Sequence, residues 1–172
     1  MQGCLHLPWD GDMRCPAVGT DNRAMDQGQY SIRPFVEKDY PEVARINSAI
    51  LPEFPDTAED ARRWSEVITR DPGRLMRRLI VEEAGSGSVV AWGFLAHTLF
   101  NFHTDKYAIR VAVDAAHRRR GIGQELYRLL EKEAVERNAL TLWATAREDD
   151  PLSLRFLERR GFNRRTRSGL RG

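Results

Sequence analysis

The sequence predicts a mixed α/β (α+β) domain, in which helices flank a central β-sheet. Apolar residues alternate in some segments and recur every three to four residues in others, which are the periods of strands and helices. The predicted elements follow the order β α α β β β α β α β, with three successive strands in the middle. The chain has 172 residues, of which 41% are hydrophobic, so it is long enough for one domain with a packed core.

The N-terminal segment, residues 1–28, is predicted to be a disordered leader, because it is rich in Gly, Asp, Gln and Pro and has no period. A single domain is then expected over residues 29–172. Met25 is an alternative start, since patterned sequence begins at about residue 29. The two cysteines, Cys4 and Cys15, both lie in the leader without the partners of a metal site, so we expect no bound metal.

The first three elements of the domain are predicted to be a strand and two helices. Residues 29–35 alternate like a strand, and Asp39 with Glu42 three residues later marks a helix start. Two prolines make residues 51–56 a loop that ends this helix. Thr57, or the aspartate before it, can then cap a second helix.

Three strands are predicted next. Residues 77–83 and 88–99 are joined by a short glycine turn, which is typical of a hairpin. The second of these strands is apolar on both faces, as expected of a central strand. A third strand follows at residues 106–113, with apolar residues at every second position on one face.

The remaining segments alternate helix and strand. Residues 122–137 carry an apolar stripe at helical spacing, and residues 140–146 alternate like a strand. Asp150 and Pro151 mark the start of a short helix, because aspartate caps a helix and proline is tolerated in its first turn. Gly161 is expected to end that helix in a left-handed conformation.

The stretch HRRRGIG, residues 117–123, is predicted to bind a phosphate group. The first amides of a helix have no intrahelical partner, and glycines allow a ligand to approach the backbone closely. Neighbouring arginines add charge-assisted hydrogen bonds. A dinucleotide fingerprint is a poor match because Leu126 stands where its third glycine would be, and no P-loop lysine follows.

The spacing Arg118-x-x-Gly121-x-Gly123 between a strand and an amphipathic helix resembles the acyl-CoA signature of the GNAT superfamily of N-acyltransferases. The resemblance implies a GNAT fold that uses acetyl-CoA as its acyl donor. Loop amides would hold the CoA pyrophosphate, and the preceding strand would pair with the pantetheine. The implied cofactor-binding residues are Val111, Ala112, Val113, Arg118, Arg119, Arg120, Gly121, Ile122, Gly123, Gln124 and Ser153.

A second stretch, DPLSLRFLERRGF at residues 150–162, resembles the second motif of the same family. The matching positions are Ser153, Glu158, Gly161 and Phe162. Together the two motifs place the resemblance over roughly residues 30–166, which is nearly all of the patterned sequence.

Three positions depart from the pattern of the family. Leu157 stands where the family usually has a tyrosine that protonates the leaving thiolate, and Asp150 stands where it has an asparagine. Only about ten residues follow Phe162, so a clear last strand is expected to be absent, although residues 162–167 could form one short strand. A truncated chain, the first half of a tandem protein, or a strand borrowed from a partner would each account for this.

The resemblance implies acetyl transfer to a primary amine of a small molecule or peptide, by direct attack of the amine on the thioester. Glu53 is the candidate base, because the loop at 51–56 borders the acceptor site in this fold. His97 and His103 are alternative bases, since histidine titrates near neutral pH. All three also fit a structural or exposed role. A non-catalytic acyl-CoA-binding half-domain is the alternative function, favoured by Leu157.

The charge of the chain argues against a polyanion as its main partner. The net charge is +2, although the tail from Arg159 to Arg171 carries six arginines, which leaves nucleic-acid binding as a second alternative. The tail lacks interleaved aromatic residues, so we expect no nucleic acid. No apolar run reaches 18 residues and no signal peptide is visible, so we expect no membrane span and a cytoplasmic location. A second copy or a second GNAT domain is a possible partner.

Overall fold

The computed structural model describes residues 2–6, 24–97 and 103–164. One sheet has the strand order β2-β3-β4-β5-β6-β1-β7. Its strands are β1 Gln2–His6, β2 Tyr30–Pro34, β3 Met76–Glu83, β4 Val89–His97, β5 Lys106–Val113, β6 Thr141–Arg147 and β7 Asn163–Arg164. The helices are α1 Tyr40–Ile50, α2 Ala58–Thr69, α3 Ile122–Glu136 and α4 Pro151–Glu158. The predicted mixed sheet flanked by helices is therefore confirmed, with its elements in the predicted order after residue 29.

Strands β2 to β5 form an antiparallel meander on one side of the sheet, with β2 at its edge. The turn between β3 and β4 contains Gly85 and Gly87, whose φ angles of 92° and 66° suit glycine. All nine residues of β4 are buried, which agrees with its prediction as a central strand. The meander gives the sheet a rigid centre from which β5 extends to the candidate site.

Two separate clusters of buried side chains cover the two faces of the sheet. Helices α1 and α2 pack on one face, through residues that include Val43, Ile46 and Ile68. Helices α3 and α4 pack on the other face, through residues that include Leu126 and Leu154. Because side chains alternate across a strand, each residue of β5 belongs to one of these two faces.

Strands β5 and β6 run parallel but pair over three positions, which end at Ala108 opposite Trp143. Beyond this pair β5 continues to Val113 and β6 to Arg147, with no further pairing between them. The two strands therefore diverge and leave the backbone groups of β5 on this side open to a cleft.

Residues 2–6 depart from the expectation of a disordered leader, because they form β1. This strand pairs antiparallel with β6, from Gln2 opposite Arg147 to His6 opposite Trp143, and it also pairs with the short β7. The edge of β6, which we expected to lack a neighbouring strand, is thus covered by the N-terminal segment. Backbone pairing satisfies a strand edge without requiring an apolar period, so composition did not reveal β1. The rest of the predicted leader up to residue 23, with Cys15, lies outside the described residues.

A chain that starts at Met25 lacks β1 and is expected to be less stable and to self-associate. Five paired positions would be lost, and the edge of β6 would be exposed to another chain. We expect a fall in Tm of roughly 10 °C, from about 0.5–1.5 kcal/mol per backbone hydrogen bond. Thermal unfolding and light scattering measure the two effects. Cys4→Pro, which places a proline in the middle of β1, should resemble the truncation, whereas Cys4→Ser should not. An unchanged monomer in both the truncated chain and Cys4→Pro would contradict the role of β1.

Candidate active site

A cleft of about 610 Å³ opens where β5 and β6 diverge. Its walls come from the end of α1, the outer half of β5, the first turns of α3, the end of β6, and α4. The divergence exposes backbone N–H and C=O groups of β5, which can bind an extended ligand that carries amides, as a paired strand would. The geometry thus provides a channel with a hydrogen-bonding edge.

The N-terminus of α3 lies in one wall of this cleft. Gly121 is its N-cap with φ 78°, and no side chain caps the helix. A Cβ atom added to Gly123 would lie only 3.5 Å from Val113 Cγ2 and 3.7 Å from Val111 Cγ1, so the start of α3 packs closely on the outer half of β5. The uncapped first turn with its partial positive charge forms an anion site beside the open strand edge.

Nine of the predicted cofactor-binding residues line the cleft. They are Val111, Ala112, Val113, Arg118, Arg119, Gly121, Gly123, Gln124 and Ser153. The side chains of the other two point elsewhere. Ile122 is buried in the core under α3, and Arg120 donates a hydrogen bond to Tyr30 Oη at 2.9 Å. These two residues therefore position the loop rather than contact a ligand through their side chains.

The arginine loop, residues 117–121, is held to β2 by a contact that the sequence did not reveal. Tyr30 Oη, which accepts from Arg120, also lies 3.1 Å from His117 Nδ1. Arg118 Nε donates to Val113 O at 3.2 Å, which ties the loop to the end of β5. Tyr30 is 87 residues before His117 in the chain, so no local pattern could have indicated this contact.

Comparisons with known proteins agree with this geometry. The sequence profile of the acetyltransferase (GNAT) family matches residues 37–162. The chain belongs to the GNAT family. A search of curated proteins found no match.

Solved structures show the same fold. Ribosomal-protein-alanine N-acetyltransferase from Brucella melitensis is 25% identical, with a TM-score of 0.64 over 77% of this chain and 84% of its own. The protein yncA from Salmonella typhimurium, solved with its cofactor acetyl-CoA, is 18% identical, with a TM-score of 0.64 over 78% of this chain and 80% of its own. A tandem GNAT protein from the clavulanic acid biosynthesis pathway is 15% identical, with a TM-score of 0.69; it aligns with 95% of this chain over 50% of its own length.

The start of α4 differs from the usual GNAT pattern at Asp150. This carboxylate caps α4, accepting from Leu152 N at 3.1 Å and from Ser153 N at 3.2 Å, and it also accepts from Ser153 Oγ at 2.6 Å. Burial by itself raises the pKa of Asp150, but these hydrogen bonds and the charge of Arg118 lower it below its usual value. A negative charge therefore occupies the N-terminus of α4, which makes this helix a poor second phosphate site in this GNAT protein.

Leu157 stands where the resemblance implies the usual acid of GNAT enzymes. Its side chain lines the cleft and is 8% exposed. Tyr127 also lines the cleft but is packed edge-on against Phe156 and Phe162, at 5.8 and 6.3 Å between ring centroids. Beside it, Glu131 faces the cleft, and burial raises the pKa of this carboxyl against the opposing hydrogen bond from Tyr127. The sequence analysis missed Glu131, because its helical position looked exposed.

Glu53, the candidate base, is not among the residues that line the cleft; it is 46% exposed and forms an ion pair with Arg147 at the end of β6. Arg147, which lines the cleft, also pairs with Asp149 at 2.7 Å. A backbone hydrogen bond and the contact with Arg147 lower the pKa of Glu53 below its usual value of 4.5. The loop after α1 is thereby joined to β6 across the mouth of the cleft.

The two histidines named as alternative bases lie outside the lining of the cleft. His97 is buried, accepts a hydrogen bond from Leu75 N at 2.7 Å and stacks on Tyr107. Burial lowers the pKa of His97, so it stays neutral at physiological pH. His103 is exposed, 3.9 Å from Asp105. Their positions favour structural and surface roles.

The described part of the chain contains no cluster of three or more His, Cys, Asp or Glu residues that could hold a metal ion. Among its helices, none is both long and apolar enough to cross a bilayer. Of the arginine tail, the part beyond residue 164 lies outside the described residues.

Proposed function

We propose that this GNAT protein transfers an acetyl group from acetyl-CoA to a primary amine of a small molecule or peptide. The observation that carries the proposal is the open edge of β5, placed directly beside the uncapped N-terminus of α3. The first feature suits the amides of pantetheine, and the second suits a pyrophosphate. Family membership supports acyl transfer as the class of reaction.

The chemical step follows from this placement. The neutral amine attacks the thioester carbonyl, so a C–N bond forms while the C–S bond breaks. Backbone N–H groups at the divergence of β5 would stabilise the oxyanion that develops on the carbonyl oxygen. The amine proton passes to a base, and the leaving thiolate takes its proton from water, since Leu157 has no proton to donate.

Two measurements test the proposal. Calorimetric titration should show saturable acetyl-CoA binding, and an amine panel should release one free thiol for each acetylated amine. Leu157 favours a second candidate, an acyl-CoA-binding domain without catalysis, for which binding would occur without thiol release beyond that in buffer. Absence of binding at millimolar acetyl-CoA would exclude both functions.

The structure also supports a test of Glu53 as the base. A backbone hydrogen bond and the contact with Arg147 lower the pKa of Glu53. Protonation of the amine substrate already starts the fall of kcat/KM at a higher pH, so Glu53 should add a second break to the acidic limb, below pH 4.5. We expect Arg147→Gln to move this break to higher pH, because it removes the cation that favours the ionised carboxylate. Glu53→Gln should lower kcat roughly 100- to 10,000-fold and abolish the break that Glu53 adds. A different result would show that the ion pair only holds the loop at residues 51–56. In that case Glu53→Gln and Arg147→Gln would lower kcat/KM equally, the double variant would lose no more than either, and the pH profile would not change.

We also propose that the protein acts in the cytoplasm, alone or beside a second copy or a second GNAT domain. The tandem relative supports a paired arrangement, since this chain aligns with half of its length. Light scattering of the purified chain would show a dimer directly.

A further inference from the structure

Arg110 lies where β5 leaves β6, two residues beyond Ala108, which is the last paired position. Ala108 and Ala112, two residues to either side of it, pack with the cluster under α1 and α2. Ile109 and Val111 pack with the cluster under α3 and α4. The alternation of side chains along β5 therefore puts Arg110 on the α1 and α2 face, opposite the face that carries the anion site at the start of α3.

The guanidinium of Arg110 has no hydrogen bond or ion pair within the described residues. Its nearest aromatic contact is Trp92, whose ring centroid lies 5.9 Å from Arg110 Cζ. Burial lowers the pKa of Arg110, which shows that its charge is poorly solvated. Arg110 is nonetheless one of the residues that line the cleft, and it is half-buried rather than enclosed, so an external anion can reach it.

Other inward arginines on this sheet have protein partners. Arg33 pairs with Asp39 and Glu82, at 2.7 and 2.6 Å. Arg78, on the same face as Arg110, donates to Tyr40 Oη at 3.0 Å and to Ser65 Oγ at 2.9 Å. A half-buried cation that is poorly solvated and has no partner costs free energy, so Arg110 is the exception that an incoming ligand would explain.

The nearest acid is held away from Arg110. Asp56 acts on Arg110 through its charge but forms no ion pair with it within 4 Å. Its Oδ2 instead accepts from Asn47 Nδ2 at 2.9 Å, and Asn47 Oδ1 accepts from Trp92 Nε1 at 3.1 Å. This network holds Asp56 and Trp92 through Asn47 and leaves the guanidinium of Arg110 without an ion pair to Asp56.

We propose that Arg110 binds an oxyanion of the acceptor, so that the acceptors of this enzyme are amines that also carry a carboxylate or a phosphonate. The inference rests on the proposed function, because that function assigns the ligand at the start of α3 to acetyl-CoA. Pantetheine is uncharged, and the CoA phosphates are assigned to the opposite face, so the donor does not supply the anion. Guanidinium binds planar and tetrahedral oxyanions in bidentate geometry, which fixes the amine relative to the thioester.

The test compares matched amines in the protein saturated with acetyl-CoA. The pairs are tyrosine with tyramine, 4-aminobutyrate with butylamine, and 2-aminoethylphosphonate with ethylamine; the last pair separates phosphonate from carboxylate. Thiol release gives kcat/KM, and the shift in Tm gives binding. We expect the acid-bearing member of at least one pair to be preferred by about 10- to 100-fold, and Arg110→Met to remove that preference.

Controls separate this inference from the proposed function. Arg110→Met should leave the acetyl-CoA affinity unchanged, and Arg110→Lys should keep part of the preference. Asp56→Asn should retain the preference, whereas its loss in that variant would show that Arg110 serves Asp56. Arg63→Met, an exposed change on α2, should change nothing. If acetyl-CoA does not bind, the proposed function is wrong. If acetyl-CoA binds but no pair of amines shows a preference, the assignment of Arg110 is wrong. The assignment is also wrong if acetyl-CoA binds but no amine of any pair is acetylated or shifts Tm.

Discussion

Replacing Gly123 with leucine is expected to abolish saturable acetyl-CoA binding while the protein stays folded. Gly123 lines the cleft in the first turn of α3, close to the outer half of β5. A Cβ at this position would be at ordinary contact distance from its neighbours, at least 3.5 Å from each, so the fold accommodates it. The further atoms of leucine would occupy the channel through which the donor reaches the first-turn amides.

The expected loss of affinity is at least about 100-fold, which corresponds to losing two hydrogen bonds to charged phosphate oxygens. Stability should not fall, because glycine is less favourable in a helix than alanine by about 0.8–1 kcal/mol and leucine ranks close to alanine. Calorimetric titration and thermal unfolding measure the two quantities on the same sample.

Two controls make this result specific. Gly123→Ala should weaken binding less than leucine does, since its Cβ alone fits between Val113 and Phe156. Glu136→Leu adds the same side chain at the far, exposed end of α3 and should leave the affinity unchanged. If Gly123→Leu bound acetyl-CoA with the affinity of the wild type, acetyl-CoA would not bind at the start of α3. The main support for the proposed function would then be lost.

The features predicted from sequence are those that depend on local constraints. The order of strands and helices follows from their apolar periods, and the anion loop follows from glycines that stand directly before an amphipathic helix. Gly121, with φ 78°, occupies a conformation that few other residues adopt, so its requirement is visible without a structure. The resemblance of the second motif to that of the family likewise implied a place for Leu157 beside the leaving thiolate, and Leu157 lines the cleft.

The features that were missed depend on contacts between distant segments. β1 joins β6 through backbone groups across more than 130 residues, and such pairing has no side-chain signature. Arg120 donates a hydrogen bond to Tyr30, and Glu53 forms an ion pair with Arg147. Composition cannot show which partner such a side chain takes. Arg110 looked like an ordinary polar position in an alternating strand, and its isolation emerged only when its surroundings were known.

Replacing Arg33 with methionine is expected to be the most destabilising of the charge substitutions considered for this protein. Arg33 donates to both carboxylate oxygens of Asp39, each at 2.7 Å, and to Glu82 Oε1 at 2.6 Å. Asp39, 2% exposed, also accepts from Val36 N at 2.8 Å at the start of α1. Without Arg33 this buried carboxylate would lose its counter-charge, which costs about 3–5 kcal/mol and roughly 10 °C in Tm.

The consequence for the cleft is indirect, because Asp39 anchors the helix that ends at Ile50 in the cleft wall. Chemical denaturation at pH 7 measures the loss of stability. The double variant Arg33→Met with Asp39→Asn should recover part of it, since the isolated buried charge is then absent. Arg63→Met, whose exposed partner is Glu59, should change the free energy of unfolding by less than about 0.5 kcal/mol.

The pH dependence distinguishes an ion pair from simple packing. Burial alone raises the pKa of Asp39, but the hydrogen bonds from Arg33 and Val36 and the charge of Arg33 lower it below its usual value of 3.8. The native protein therefore has the full contribution of this pair above about pH 4 and loses it as the pH falls through the lowered pKa. In Arg33→Met, burial is no longer opposed by Arg33, so the pKa of Asp39 rises. The difference in stability between the two proteins should then be largest near neutral pH. It should begin to shrink as the pH falls through the raised pKa of Asp39 in the variant and stop changing below the lowered pKa of the native protein, whereas a difference independent of pH would assign the effect to lost packing of the arginine stem.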